Sequence, residues 1–451
     1  MLIRRMPWLA IWTLLISLPV HSTEPMPGCI ITYQHANYNG AQLMLCLNGE
    51  KKVIVPRENL FEDSITSIKL SSNVIARACQ HPDGTGVCRT YFRSVPNVWE
   101  AMNDKISTIT LTAFNPDDFT MLFSGGPNYP KACHSEGLKE CFDFQVTYDK
   151  ETALNKGRIF SRALKEIIGY SNGSKPSYHH ETPEDFTSHG SPASHLIGAS
   201  TVAGLVFTGP MTLKGNINQM WHASKAYYSR LINVYPGLGQ SDYQPLNNGY
   251  GCENSICIKD VMDYMRTYIR SLNPLNFDFN ESSVYYRFPT FRKDHSGSLA
   301  YSWEVGNVHF IQLHDSLNTS EHYYQSWDFG KMNTFTIRNA KEWLKNDLEA
   351  AYSSDKKIVL LLRYWDHNDR FLEDLVRKYK INAIFAHKKS QDDAGYQNVH
   401  GPNTFLRPTV LGRTIRLVRF KGKDVYVASL YRQYSRQVFL IQELQSEGFS
   451  Y

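Results

Sequence analysis

A chain of 451 residues, 42% apolar and 20% charged, has enough hydrophobic surface for two cores. A formal net charge of +5 is too small for an electrostatic nucleic-acid binder, which excludes that class of partner. Aromatic residues reach 13%, with 27 tyrosines, and favour β-rich cores.

The chain opens on Met1-Leu-Ile-Arg-Arg-Met, a basic start, followed by an apolar run from Pro7 to Val20 and a small polar exit at His21-Ser22-Thr23-Glu24. That order predicts a secretory signal peptide over residues 1–23, with an uncleaved anchor as the alternative, and so a secreted or periplasmic mature protein. No later segment is apolar for eighteen residues, so no transmembrane segment is expected in the mature chain. Eight cysteines suit an oxidising compartment. They fall into close pairs, Cys29 with Cys46, Cys79 with Cys88, Cys133 with Cys141 and Cys252 with Cys257, and nearest-neighbour disulfides are the expectation. Zinc is the competing use, but no pair has the C-x2-C spacing of a zinc knuckle.

From Cys29 to Thr112 short apolar alternations are broken by Asn-Gly, Asn-Gly-Glu and Asp-Gly-Thr-Gly turns, the grammar of a small all-β sandwich. Within it, Tyr33-x4-Tyr38-x-Gly40 resembles the aromatic corner of a βγ-crystallin Greek key, and Cys79, Gly84 and Gly86 repeat its spacing. Glu62-Asp-Ser-Ile-Thr-Ser67 and Asn103-Asp-Lys-Ile-Ser-Thr108, about forty residues apart, resemble that family's calcium loop. The resemblance implies calcium held by Glu62, Asp63, Thr66, Asn103, Asp104 and Ser107, whose carboxylate, amide and hydroxyl oxygens suit a hard cation. The alternative is that Asp63, Thr66, Asn103 and Ser107 only brace turns. Residues 24–115 are read as this domain.

After the turn-rich Asn115-Pro-Asp-Asp118 the pattern becomes strands alternating with helices. Strands are expected at Phe119–Ser124, Leu205–Thr208, Leu231–Tyr235, Ser298–Glu304, Val308–Leu313, Ile358–Leu362 and Ala383–Ala386. Three more are expected at Thr414–Phe420, Val425–Leu430 and Gln437–Gln442. Helices are expected at Lys150–Gly169, Gln219–Ile232, Ile258–Leu272 and Asp369–Tyr379. A long amphipathic one is expected through Ile337, Ala340, Lys341, Leu344, Leu348 and Ala351.

The blocks Phe123-Ser-Gly-Gly-Pro-Asn-Tyr-Pro130, Val206-Phe-Thr-Gly-Pro-Met-Thr212, Val234-Tyr-Pro-Gly-Leu-Gly-Gln-Ser-Asp-Tyr243, Gly297–Gln312, Lys357–Arg363 and Ala383–Ser390 resemble, in order, those of the calcineurin-like metallophosphoesterases. Over residues 118–443 the resemblance implies an α/β sandwich of two packed sheets flanked by helices, and with the first domain a multidomain chain. A dinuclear phosphoesterase needs a bridging carboxylate and clustered imidazoles. At the matching positions this chain has Gly126 and Asn128, Pro210, Gln240 and Ser241, with Asp242 retained, then Arg363, and Lys388 and Ser390 beside His387. A dinuclear transition-metal site is therefore not expected, and the domain reads as catalytically impaired.

Arg363 and Lys388 put cations where the family has histidines, which suggests a rim that binds an anionic, phosphate-bearing extracellular ligand without cleaving it. Local pairing with Asp242 or Asp366 is the plainer use of the same charges. An active phosphoesterase with a relocated metal site is the enzyme alternative, drawing on His179, His180, His189 and His195 with Glu181 and Asp185, or on His314, His367 and His387. A third class is an adhesion or toxin-like protein presenting an aromatic patch such as His322-Tyr-Tyr-Gln-Ser-Trp327.

Overall fold

The computed structural model describes residues 24–47, 51–54, 63–98, 102–124, 201–209, 211, 232–239, 242, 256–285, 291–314, 317–318, 320–326, 331–364, 369–387, 404–406, 414–422, 424–433 and 438–447. The expected signal peptide, the helix expected at 150–169 and all but Ile232 of the helix expected at 219–232 lie outside them; Ile232 is not helical.

Among the described residues, seven strands build the first unit: β1 (Cys29–His35), β2 (Asn39–Cys46), β3 (Lys51–Ile54), β4 (Ser67–Leu70), β5 (Val74–Cys79), β6 (Cys88–Tyr91) and β7 (Thr108–Ala113). They form two sheets, ordered β2-β1-β4 and β3-β7-β5-β6. The halves exchange strands: β3 of the first half pairs with β7, and Val95 of the second half bridges to Ile68 on β4. Exchange closes a shared core in which Ile30, Ile68, Ala76, Met102, Ile109 and Leu111 are buried.

The two halves repeat each other in detail. At Gly40 and at Gly86 the backbone is left-handed, and a Cβ would meet the ring of His35 or His81 at 2.7 Å. Only glycine lets a histidine fold over the hairpin at both places. Thr66 and Ser107 donate side-chain hydrogen bonds to the carbonyls of Gln34 and Gln80, at 2.7 and 2.8 Å. Their neighbours Ser67 and Thr108 do the same to His35 and His81, both at 2.6 Å. Two of the four expected disulfides, Cys29–Cys46 and Cys79–Cys88, tie residues directly opposite one another in the β1–β2 and β5–β6 hairpins. Each contributes about 2–4 kcal/mol by restricting the unfolded chain.

The second unit is larger. Its first sheet takes β8 (Asp118–Ser124), β9 (Thr201–Phe207) and β10 (Val234–Pro236) with β21 (Thr414–Lys421), β22 (Asp424–Gln433) and β23 (Val438–Glu447), in the order β10-β9-β8-β21-β22-β23. Its second takes β11 (Asn276–Phe277), β14 (Tyr301–Val305), β15 (Val308–Gln312), β18 (Lys357–Tyr364), β19 (Ala383–His387) and β20 (Thr404–Leu406), in that spatial order. Both are mixed sheets, and they share a core: Phe123 stacks on Phe385 at 4.4 Å, and Phe119 meets Phe310 edge-on at 6.4 Å.

Three α-helices occur among the described residues: α1 (Ile256–Ser271), α2 (Lys341–Ser353) and α3 (Arg370–Lys378). Strand β18 shows why Ile-Val-Leu-Leu-Leu is apolar throughout. Val359 and Leu361 join the core between the sheets, while Ile358, Leu360 and Leu362 join a second core with Leu344, Leu348, Leu372 and Leu375 of the two outer helices. A strand covered on both faces has no polar side to show. Helix α3 starts where Asp369 accepts a hydrogen bond from the Leu372 amide and ends on Arg377 and Lys378, which suit its dipole.

Three expectations change. Ile337 closes β17 (Lys331–Ile337) instead of opening the helix, which begins at Lys341. The strand placed at Leu231–Tyr235 is found at Val234–Pro236, with the Asn233 carbonyl still accepting the Leu205 N–H of β9 and Leu231 outside the described residues. A four-stranded sheet ordered β12-β13-β17-β16 has no counterpart in the apolar pattern; its remaining members are β12 (Asn280–Tyr285), β13 (Phe291–Gly297) and β16 (Glu321–Ser326). Its strands carry charges that pair with each other or with a helix, as Glu281 does with Lys293 and Arg266. Period-two apolar counting therefore passes over them.

Beneath α2 lies a buried charge network. His309 Nε2 meets Asp347 at 2.9 Å, Ser302 donates to the same carboxylate at 2.9 Å, and Glu304 stands 3.5 Å from His309 Nδ1. Burial alone would lower the pKa of His309, but Asp347 and Glu304 together outweigh it and the net shift is upward from 6.5. A histidine raised in the folded state adds stability that is full below its unfolded pKa and is lost as pH rises through the folded value. The urea midpoint of the wild type is thus expected to fall with rising pH above 6.5, and Asp347→Asn to flatten that limb.

Candidate functional site

The two calcium-type loops meet. Asp63 and Asp104 hold equivalent positions with left-handed backbones, φ 54° and 52°, a conformation that Asp tolerates better than most residues. Both side chains are exposed, as is Lys105, so its ammonium is free to stay in solvent. From one loop the Asp63 carboxylate approaches Ser107 of the other at 3.1 Å, and the Ser107 hydroxyl lies 2.8 Å from the Gln80 carbonyl. A hydroxyl has one proton, and Ser107 is within donating distance of both the Asp63 carboxylate and the Gln80 carbonyl. The carboxylate of one loop and the hydroxyl of the other are thus brought side by side. Asn103 adds a buried Oδ1 that has no hydrogen-bond partner among the described residues. This donor set of carboxylate, hydroxyl and carbonyl oxygens is the chemistry calcium takes. Thr66 makes the equivalent clamp in the other half, donating to the Gln34 carbonyl; Glu62 lies outside the described residues.

The second candidate is the rim where β9, β10, β15 and β18 end. Asp242 is fully buried, and one carboxylate oxygen accepts the backbone N–H groups of Met211 at 2.9 Å and Gly239 at 2.8 Å. His314 accepts the Leu238 N–H at Nδ1 (2.9 Å) and donates from Nε2 to the Leu299 carbonyl (2.6 Å). Both ring nitrogens are used, and burial drives its pKa down to about 4, so the ring is neutral. Arg363 is half-buried and gives its backbone N–H to His314. At Gly237 a Cβ would stand 2.5 Å from the Phe207 carbonyl and 2.6 Å from the Gln312 amide. The loops therefore close directly onto each other. Thr208 Oγ1 and both polar atoms of Gln312 are buried there without partners among the described residues.

Gly126, Asn128, Pro210, Gln240, Ser241, Lys388 and Ser390 lie outside the described residues, as do Cys133, Cys141 and Cys252, and His179, His180, His189, His195 and His367. Cys257 and His387 are described in backbone only. In the aromatic segment, Tyr323 on β16 is buried, with its hydroxyl unpaired among the described residues, while His322 is exposed. Sequence reading missed Gln80, Thr208, Gln312 and Asn233. The repeat of His35-x4-Gly40 in His81-x4-Gly86 was the one signal pointing toward the first of these.

No protein-family model matches the chain, and no curated protein matches it. The solved structures similar to it include a βγ-crystallin domain from Clostridium beijerinckii, at 23% identity over 19% of this chain and 97% of that one, TM-score 0.17. A second is the βγ-crystallin domain of Abundant Perithecial Protein from Neurospora crassa in its Ca2+-bound form, at 19% identity over 21% of this chain and 96% of that one, TM-score 0.18. A third is the N-terminal domain of Protein S, at 16% identity over 19% of this chain and 96% of that one, TM-score 0.17. Scores this low decide nothing; the character of the sandwich rests on its own strand exchange and repeated clamps. Nothing in these comparisons supports the phosphoesterase resemblance of residues 118–443.

Proposed function

We propose that this is a secreted binding protein in which a calcium-binding sandwich is joined to a phosphoesterase-like body that has given up catalysis. The observation that carries the reading is the meeting of the two loops, where Asp63, Ser107 and the Gln80 carbonyl converge. When bound, the cation would neutralise the Asp63 carboxylate among the hydroxyl and carbonyl oxygens beside it. Two disulfides favour an oxidising compartment, and no helix of the described residues is long and apolar enough to cross a membrane.

In the second unit, the commitment of Asp242 and His314 to backbone groups supports binding over hydrolysis, since neither can act as acid or ligand without opening the loops it ties. The proposed ligand is an anionic, phosphate-bearing group held through Arg363 and Lys388. Calorimetric titration of the full mature chain with calcium chloride is expected to show binding that Asp63→Asn and Ser107→Ala each weaken at least tenfold. Titration with inorganic phosphate is expected to show binding lost in Arg363→Ala. Calcium affinity unchanged in both loop variants would refute the first half of the reading, and hydrolysis of a generic phosphodiester would refute the second.

A further inference from the structure

The sandwich is fastened to the second unit through an edge strand. β6 lies at the end of its sheet, where outward backbone groups lack a ladder partner. Asn233 supplies one: its amide oxygen accepts the Thr90 N–H at 3.1 Å and its amide nitrogen donates to the Thr90 carbonyl at 2.6 Å. Beside it the buried Arg89 gives two hydrogen bonds to Ser271 Oγ, at 3.2 and 3.0 Å, and lies over the Tyr268 ring. Arg93 donates to the carbonyls of Asn273 and Pro274, at 2.8 and 3.0 Å. Ile75 and Phe114 from the sandwich side belong to the core of the second unit.

Asn233 also stands immediately before β10, a three-residue strand at the end of its own sheet. β10 leads to Leu238, whose N–H is held by His314 at the rim. On the other side, β6 is joined to β5 by Cys79–Cys88, and the Cys79 and Gln80 carbonyls accept from Ser107, the residue that meets Asp63. A continuous set of backbone and side-chain contacts thus runs from the calcium-type loops to the rim.

We propose that the β6 edge is a clip that holds β10 closed, so that the state of the sandwich loops sets how often the rim opens. The calcium-dependent half of this rests on the calcium reading above; the clip itself does not. β10 is held along its length, where Tyr268 and Tyr301 donate to the Val234 and Pro236 carbonyls and Tyr235 stacks on Trp303. The Asn233 fork therefore acts on its leading end, and local opening of so short a strand responds to how that end is fastened. A cation that binds only the closed loops would lower that opening by mass action.

The test is amide hydrogen exchange on the full mature chain, with and without calcium chloride. In the absence of metal, Asn233→Ala is expected to speed exchange in both 88–91 and 234–238 by about tenfold. Arg93→Ala, on a partly exposed side chain, should act in the same direction more weakly and decides the matter if the first variant fails to fold. Saturating calcium should slow exchange at 63–67 and 103–108 in wild type and variant alike, but at 234–238 in the wild type only. Unchanged exchange at 234–238 in the metal-free variants overturns the clip. Equal calcium protection of that segment with and without Asn233 overturns the coupling. Absence of calcium protection at the loops themselves defeats the calcium reading and with it the metal-linked half, leaving the metal-free arm to decide the clip.

Discussion

Asp242→Ala is expected to lower the free energy of unfolding by about 2–6 kcal/mol, since two buried N–H groups each lose their acceptor at about 1–3 kcal/mol apiece. The carboxylate is fully buried and joins two loops, through Met211 on one side and Gly239 on the other. Alanine leaves both donors facing a fully buried position with no acceptor. Asp242→Asn keeps one acceptor oxygen and should lose much less. Urea unfolding followed by tryptophan fluorescence measures both, with Trp303 buried between the sheets as reporter. A loss below about 1 kcal/mol for the alanine variant would mean that the rim loops are held by packing and not by this carboxylate.

Acid lability centred on His314 is the second large effect. Burial lowers its pKa from 6.5 to about 4 in the folded protein. The unfolded chain therefore binds the proton first, and stability is full above 6.5 and falls progressively as pH drops toward 4. A shift of that size amounts to about 3 kcal/mol at the acid end. His314→Gln can still accept from Leu238 and donate to Leu299, but it does not titrate. It is expected to flatten the acid limb by about that amount while leaving the neutral baseline nearly in place. If wild type and variant lose stability in parallel between pH 6.5 and 4, His314 is not the group responsible. Because His309 acts in the opposite sense above 6.5, the two histidines together confine maximal stability to near neutral pH.

How much of this was legible depended on the reach of each interaction. The hairpin disulfides Cys29–Cys46 and Cys79–Cys88 follow from spacing, because their partners are 17 and 9 residues apart. The alternation around β15, β18 and β19 was equally readable, since strands buried on both faces are continuous apolar runs. The charged sheet built from β12, β13, β16 and β17 was not, because its strands satisfy charge by pairing across the sheet or with a helix.

The calcium-type loops were located by their repeat, yet the repeat does not say that Ser107, besides its clamp on Gln80, reaches Asp63 of the opposite loop. The rim shows the sharper limit. From sequence, Asp242 is a retained acid and His314 a possible metal ligand. In the fold each is spent on backbone groups far along the chain, Met211 at 31 residues' separation and Leu238 at 76.

By itself the amino-acid sequence determined what short-range physics controls: the repeated hairpins, the cross-strand cysteines of the sandwich, the apolar strands buried on both faces, and which residue types are present for chemistry. Only the tertiary structure decided which of those residues remain available. Asn233 forks onto Thr90 across 143 residues. A polar side chain's role is set by the partners that burial leaves it, and those partners are brought by chain closure, not by neighbours in sequence.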